Sequence, residues 1–457
     1  MTIKNIFLFI LVAAVIAACK VTQPYQQPGA TGATTYRGTT SIDSNSIATI
    51  SWKDIFTDTT LQSLINEGIN NNLDLKIAVA RIKTATANVK QSRLALLPSV
   101  DANAAATFQK VPSTQFGVPA VYQLYISSSW EADLWGKLGS AKKAALASLL
   151  QSEAYRRAVQ TQLISDIATN YYLLTAYDAQ LRITLQTVEN RKQEVETMKT
   201  LKESDVVTGA AVVQSAANRY SVEITIPDLK QNIRETENTL SILLGRNADT
   251  VFRASLEQQA VSTNLATGVP AQLLANRPDV QEAEFQLRNA FELVNVARTY
   301  FYPQLTITGQ AGFYGTTLGS VFNPTNFFAN IAGGLLQPIF EKGVNKQRLT
   351  AAQATQEEYA NTFKKTVLNA GQEVSNALYS YQTAKEKESL RGEQINYLQK
   401  SVEYTKELLK YSSATNYTDV LTSEQSLLAA QLSSINDKLQ QLTAVVNLYR
   451  SLGGGWR

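Results

Sequence analysis

Residues Ser140 to Thr208 read SAKKAALASLLQSEAYRRAVQTQLISDIATNYYLLTAYDAQLRITLQTVENRKQEVETMKTLKESDVVT, 69 positions without a glycine or a proline. At a rise of 1.5 Å per residue, a helix over this run spans about 100 Å. No globular domain needs a helix of that length. Its apolar residues recur at alternating steps of three and four: Ile164, Ile167, Tyr171, Leu174, Leu181, Leu185 and Val188, with Asp178 filling one step. A seam this narrow is the heptad pattern of supercoiled helix pairs rather than of a broad globular core. Near the C-terminus Leu428, Leu432, Ile435, Leu439, Leu442, Val446 and Tyr449 repeat the pattern without a gap. After Pro338 there is no further proline, and Gly371 and Gly392 are the glycines inside the long run that ends at Leu452. The turns between long helices are expected near Ser204–Ala211 and Ser412–Thr418. Gly245 and Gly453-Gly454-Gly455 mark helix ends.

The chain is built twice. Asn72-Leu73-Asp74-Leu75 aligns with Arg277-Pro278-Asp279-Val280 at an offset of 205 residues. The same offset brings Ala78 onto Ala283, Ala85 onto Ala290, Val89 onto Val294, Arg93 onto Arg298 and Pro98 onto Pro303. Further on the offset is 208, where Val212-Val213 meets Val420-Leu421 and Leu244-Gly245 meets Leu452-Gly453. One register held over such distances marks an internal duplication. Each copy is expected to hold a helix, two strands and then two very long helices. The first helix runs from about Leu73 to Leu96, before Pro98, and its counterpart from Asp279 to Phe301, before Pro303.

The strands alternate. Val100, Ala102, Ala104, Ala106 and Phe108 share one face, opposite Asp101, Asn103, Thr107 and Gln109. Tyr122, Leu124, Ile126 and Trp130 oppose Gln123, Ser127 and Ser129; Leu305, Ile307, Ala311 and Phe313 oppose Thr306, Thr308 and Gln310. A fourth, glycine-rich segment at about Phe327–Leu336 alternates less cleanly. Strands of roughly ten residues with one apolar and one polar side suit a membrane barrel with a wet interior. Taken alone, they suit soluble hairpins on a core equally well.

Composition narrows the function. Hydrophobic residues make up 44% of the 457, enough to bury a large core. The 42 basic and 38 acidic residues leave a net charge of +4, too slight to argue for nucleic acid or an acidic substrate. There is no histidine, so the commonest general base and metal ligand is missing. The acids are spread without a metal-ligand cluster, and no phosphate-binding glycine loop is present. These features read against an enzyme.

The single cysteine, Cys19, excludes an internal disulfide framework. It follows Lys4 and the apolar run Ile6–Ile16, which is too short to span a bilayer. The run closes on Ile16-Ala17-Ala18-Cys19, small residues before a cysteine, as in the lipobox of bacterial lipoproteins. Residues 1–18 are then a lipoprotein signal peptide, and the thiol of Cys19 carries the lipid. The competing reading is an ordinary cleaved leader with an incidental cysteine. Residues 19–51, rich in Thr, Ser, Gly, Gln and Pro, read as an extended tether. The first repeat occupies 52–250, with its strand pair at about 99–131. The second occupies 251–457, with its strand pair at about 304–337.

Two hairpins supply four strands, which cannot close a barrel, and open sheet edges are not tolerated in lipid. Membrane strands would therefore have to be shared among copies. Three chains give twelve strands, within the known range of barrels, and a cyclic arrangement closes them. Long helices joined to such a barrel make a tube for passage rather than a site for chemistry.

Several motifs resemble the outer membrane efflux protein family, the TolC-like channels, and most of all its lipoprotein branch serving resistance-nodulation-division (RND) pumps. They are Trp52-Lys53-Asp54-Ile55-Phe56 with Asp58 and Leu61, Trp130-Glu131-Ala132-Asp133-Leu134-Trp135-Gly136-Lys137, and Ile226-Pro227-Asp228-Leu229. Leu273-Leu274-Ala275-Asn276-Arg277-Pro278-Asp279-Val280 with Ala283-Glu284 is the most specific run. Tyr300-Phe301-Tyr302-Pro303-Gln304-Leu305, Leu336-Gln337-Pro338-Ile339-Phe340 and Ser451-Leu452-Gly453-Gly454-Gly455-Trp456 complete the set.

The resemblance implies a mainly α-helical, internally duplicated chain. Three copies would form a homotrimer with a twelve-strand outer-membrane β-barrel over a periplasmic helical barrel. It implies a passive exit duct for drugs or other toxic small molecules, closed at its periplasmic tip and opened when the helix pairs untwist. The partners implied are a periplasmic adaptor, an inner-membrane RND pump and outer-membrane lipid, with no nucleic acid. No cofactor is implied beyond the covalent lipid on Cys19.

By the same resemblance Asp419, in Asp419-Val420-Leu421-Thr422, is the aperture carboxylate, and three copies would make an anionic ring that favours cations. Thr422 and Val212 stand where some members carry acids. The competing reading of Asp419 is a helix-start carboxylate favoured by the macrodipole. Arg277, Pro278 and Asp279 are expected to set a helix start rather than touch cargo. Trp130, Trp135 and Phe340 read as packing or interface-belt aromatics. Two alternatives remain open at this level: the exit duct of a type I protein or peptide secretion system, and a lipid-anchored coiled-coil structural lipoprotein.

Overall fold

A computed structural model describes residues 21–27, 47, 50–108, 120–260, 276–411 and 416–456. Cys19 and most of the tether lie outside these residues. In chain order the elements are α1 (Trp52–Ile55), α2 (Thr59–Asn71), α3 (Leu73–Leu94), β1 (Ser99–Phe108), β2 (Ala120–Ala132), α4 (Lys137–Glu203), α5 (Gly209–Glu223) and α6 (Thr225–Leu243). The second half supplies α7 (Pro278–Thr299), β3 (Gln304–Gly315), β4 (Phe327–Leu336), α8 (Val344–Tyr411) and α9 (Tyr417–Ser451). Among the described residues no helix is long and apolar enough to cross a membrane.

The chain divides into two compact units that cut across the sequence repeats. The strand unit combines Met1–Gly29, Ala80–Glu153 and Glu282–Lys364; the helical unit combines Ala30–Val79, Ala154–Gln281 and Lys365–Arg457. Each repeat contributes one hairpin to the first and helices to both, so neither repeat is compact alone.

In the strand unit the sheet order is β1-β2-β3-β4, antiparallel throughout. The register carries the expected alternation across all four strands. Ala104 stands opposite Leu124, Leu124 opposite Phe313, and Phe313 opposite Phe327. One face is thus apolar, with Val100, Ile126, Ile331 and Leu335 exposed in the single chain. On the other face Asn103 donates to Ser127 Oγ at 2.8 Å.

The motif after β2 organises the turn into α4. Asp133 accepts from the backbone N–H groups of Leu138 (3.0 Å) and Gly139 (2.7 Å), satisfying donors that a helix start leaves free. Trp135 donates to the Pro303 carbonyl at 2.7 Å, Trp130 donates to the Leu96 carbonyl at 2.9 Å, and Phe340 is exposed. The described part of the tether, 21–27, is held against α7. Asn295 exchanges two bonds with the Gln23 backbone, at 3.1 and 2.9 Å, and the Tyr25 ring meets Phe291 edge-on.

The core of the helical unit gathers Phe56, Leu61 and Ile65 against Ile164, Ile167 and Tyr171 of α4, Leu240 of α6 and Leu448 of α9. Asp58 explains its place in the opening motif. It caps α2 through Thr60 N–H at 2.8 Å and accepts from the Tyr171 hydroxyl at 2.5 Å. Two expectations are corrected here. The α4 seam is displaced at one step: Leu185 is exposed and Thr184 is buried in its place, whereas Val188 is buried as expected, followed by Arg191, Val195 and Met198. Asp178, at its own step of the seam, is bound by Arg253 at 2.5 and 2.9 Å. The return leg of the first repeat is also two helices, not one. Pro227 has no N–H for the Glu223 carbonyl, and its ring crowds that carbonyl, so the helix breaks at Ile224. In the second repeat α9 runs unbroken, and α8 passes through Gly371 and Gly392.

Candidate functional site

The residues singled out by sequence fall at three places. Cys19 lies outside the described residues. Arg277, Pro278 and Asp279 open α7, and Asp419 sits in the first turn of α9. Arg277 contacts Ser451 at the far end of α9, 32 residues from Asp419, or about 48 Å along that helix. The structure therefore does not bring them into one site.

Arg277 is 4% exposed. It forks onto Asp279 at 3.0 and 2.6 Å, donates to Glu373 of α8 at 2.9 Å, and donates to the Ser451 carbonyl at 2.7 Å. These carboxylates hold its pKa above the ordinary guanidinium value despite the opposing effect of burial. Asp279 also accepts from the Val280 N–H at 3.0 Å. Pro278 is the first residue of α7, where a missing N–H costs nothing. One side chain joins two helix ends, the start of α7 and the close of α9, to the middle of α8.

Asp419 is exposed and forms half of a capping box. Asn416 accepts from the N–H groups of Thr418 (2.8 Å) and Asp419 (3.3 Å), and Asp419 accepts from the Asn416 N–H at 3.1 Å. Its carboxylate is placed where the helix macrodipole favours negative charge. Thr422 turns its hydroxyl to the Thr418 carbonyl at 2.8 Å. Val212 of α5 is half-buried. The geometry thus realises the helix-start role.

Behind this turn lies a cluster that sequence reasoning missed. Glu424 of α9 pairs with Lys406 of α8 at 2.5 Å. Glu194 of α4 is within hydrogen-bonding reach of Glu424, and its pKa is pushed up to about 7, by burial first and then by that second carboxylate. Tyr417 adjoins Asn218 of α5 and is raised to about 12 by burial and by Glu194. Arg191 is 2% exposed, and none of its three side-chain nitrogens has a hydrogen-bond partner. Its charge acts on Glu194 and Tyr417, lowering the pKa of each against the burial that raises it. No local spacing marks it: the alternation of steps continues from Val188 to Lys192 and Val195 and passes over Arg191. Among the described residues no group of three or more His, Cys, Asp or Glu residues could hold a metal.

Residues 64–246 and 269–454 match the outer membrane efflux protein family, one span in each repeat. The chain is similar to the antibiotic efflux pump outer membrane protein ArpC of Pseudomonas putida, at 28% identity over 466 residues covering 99% of this chain and 96% of that one. It is similar to the probable outer membrane lipoprotein SilC of Salmonella typhimurium, at 27% identity over 427 residues covering 90% and 89%. Among solved structures the outer-membrane channel OprN matches with a TM-score of 0.88, at 24% identity, covering 96% of this chain and 100% of that one.

Proposed function

The chain belongs to the outer membrane efflux protein family, and from that premise we propose that it is the exit duct of a tripartite efflux system, a homotrimer that drugs or other toxic small molecules leave through. It is an outer-membrane protein of efflux transport and not an enzyme. An inner-membrane RND pump supplies the energy, a periplasmic adaptor joins pump to duct, and the duct itself is passive. The observation that carries this reading is the four-stranded sheet, with an exposed apolar face and, among the described residues, no strand paired to the outer edge of β1 or of β4. Such a sheet is stable in lipid only when further strands close it. Three copies supply twelve strands.

Cys19 is the lipid acceptor in this proposal, consistent with a relative that is named a lipoprotein. Asp419 lines the periplasmic aperture, while Arg277, Pro278 and Asp279 are structural. The antibiotic named for the ArpC system favours a drug-like cargo over a secreted peptide.

The test is the purified full chain in detergent and in planar bilayers. A heat-modifiable trimer with ion conductance supports the duct. A properly folded monomer without conductance removes it and leaves the lipid-anchored structural reading. Disruption of the gene should sensitise cells to antibiotics or solvents; an unchanged resistance profile with lost peptide export would instead support the secretion duct.

A further inference from the structure

Charge is unevenly placed along the strand unit. None of the four strands carries a lysine or an arginine. The segments that flank the strands at their helix end, 85–98, 133–146, 290–303 and 337–350, hold nine basic residues against three acidic ones. That is a net +6, more than the +4 of the whole chain. Two of the three acids are already committed: Asp133 caps α4 through Leu138 and Gly139, and Glu292 is buried against Asn295. Lys90, Arg93, Lys342 and Lys346 are exposed and, among the described residues, form no ion pair. The links at the other end of the strands, 109–119 and 316–326, contain one basic residue, Lys110. The positive charge is therefore a collar at the helix end.

We propose that this collar is a binding surface for the phosphate-diester headgroups of anionic glycerophospholipid, in the membrane leaflet nearest the helices. The inference rests on the strand unit lying in a membrane, as proposed above, and adds the lipid class that the chain selects. Three observations support a lipid headgroup as the occupant.

The first is level. On the apolar face of the sheet, exposed side chains run to the strand ends at Val100, Trp130 and Leu335. They continue as exposed Leu97 and Leu94 before β1 and as Ile339 and Phe340 after β4. Moving away from the strands, the next basic residues are Arg93 and Lys90 on one side and Lys342 and Lys346 on the other. Both sides thus pass from apolar to basic. Tyr300, Phe301 and Tyr302 stand at the same end, before β3, where aromatic rings mark the edge of the hydrocarbon. Headgroups fill about 5–8 Å beyond that edge. Lysine and arginine stems lie along apolar surface while their charges reach the polar layer.

The second is the tether. A Cβ on Gly136 would lie 3.2 Å from the Thr22 methyl, so residue 22 touches the turn into α4. Cys19 is three residues further back in the chain, a reach of at most about 11 Å. A lipid carried by Cys19, as proposed above, enters its membrane at the level of the collar.

The third is the duplication. At the offset of 205 residues Arg93 meets Arg298, Lys137 meets Lys342 and Lys143 meets Arg348. Arg298 donates to Asn295 and Lys137 pairs with Glu131, whereas their counterparts Arg93 and Lys342 form no ion pair among the described residues. Positive charge is held at equivalent places by residues whose contacts within the chain differ, as a surface common to both repeats requires.

The test counts lipid on the purified full-length oligomer in detergent by native mass spectrometry, titrating phosphatidylglycerol and phosphatidylcholine with the same acyl chains. Phosphatidylglycerol should bind more tightly by about tenfold or more, and the preference should shrink as salt rises. A basic residue near an anionic surface is worth roughly fivefold in binding. Lys90→Gln with Lys342→Gln and Lys346→Gln should therefore bring the two lipids to near-equal affinity. Lys230→Gln with Lys365→Gln and Lys385→Gln, at three exposed lysines of the helical unit, should leave the preference intact. Should the triple variant assemble poorly, each single variant should lower the preference by itself, by about fivefold. Equal affinity of the wild type for both lipids, or a preference unchanged in the triple variant, overturns the collar and leaves the duct standing. Displacement of phosphatidylglycerol by inorganic phosphate does the same, because it makes the surface a free-phosphate site. A chain that binds neither lipid and enters no bilayer overturns both.

Discussion

Arg277 and Asn72 occupy equivalent places in the two repeats, 205 residues apart, and their side chains do the same thing. Asn72 donates to the Leu243 carbonyl at 2.9 Å, and Arg277 donates to the Ser451 carbonyl at 2.7 Å, the ends of equivalent helices. The second repeat adds charge to the contact, because Arg277 also holds Asp279 and Glu373. Arg277→Ala should therefore destabilise the helical unit by roughly 2 kcal/mol, since it removes the partner of the Ser451 carbonyl and one of the partners of Asp279 and of Glu373. Asn72→Ala should cost about 1 kcal/mol. Chemical unfolding followed by circular dichroism would measure both, and equal losses would contradict the assignment. Glu194 makes a prediction of opposite sign. Its ordinary carboxyl value is 4.5, and in the fold it stands near 7. Between those values the folded chain holds a proton that the unfolded chain has released, so stability falls as pH rises from about 4.5 to 7 and levels off above. Glu194→Gln should raise the melting temperature at pH 8 and leave it unchanged near pH 4; parallel pH profiles for the two proteins would sink this account. Neither residue's surroundings were legible in the sequence. The helix-start run around Arg277 was, but Glu373 and Ser451 lie about 100 and 170 positions away.

At the scale of elements, the glycines separate by conformation. Gly453 has φ +89°, and a Cβ there would lie 2.5 Å from the Asn276 carbonyl oxygen; Gly245 has φ +70° and would place its Cβ 2.5 Å from the Asn71 oxygen. These equivalent positions end equivalent helices against equivalent chain segments, so the duplication extends to backbone strain. Gly371 lies inside α8 with open space where its Cβ would be. Gly371→Ala should stabilise by about 0.5–1 kcal/mol, whereas Gly453→Ala should cost more than about 2 kcal/mol. Paired thermal melts would check the opposite signs, and a loss from Gly371→Ala would mean that its open face is covered in the assembly. The seam of α9 was readable along its length because each step is a local spacing. The displaced step in α4 was not. Thr184 faces inward and Leu185 faces out, an exchange that the local spacing of apolar residues does not announce. The break between α5 and α6 was signalled by Pro227 alone.

For the whole molecule, the proposed aperture and anchor can be tested apart from the fold. Asp419→Asn keeps a side-chain acceptor for the capping box and removes the charge, so a trimer carrying it should assemble normally and lose cation preference in planar bilayers. Asp419→Ala removes cap and charge together and should also raise basal conductance; unchanged single-channel behaviour in both takes Asp419 out of the aperture. Cys19→Ser should abolish lipid labelling while trimers still form, because a closed barrel holds itself in the membrane; loss of the trimer would make the lipid part of assembly. The sequence by itself determined the periodicities: helices of coiled-coil length, four alternating strands, the duplication and the motifs that carry the family. Each rests on spacings within a few residues or on one register repeated, and such patterns survive in the order of the chain. Only the tertiary structure decided which faces are covered. It set half-buried Glu194 beside buried Arg191, joined Arg277 to two distant helices and divided the chain across its repeats. The reason is physical: burial is a property of which segments meet, and the segments that meet here lie far apart in the sequence.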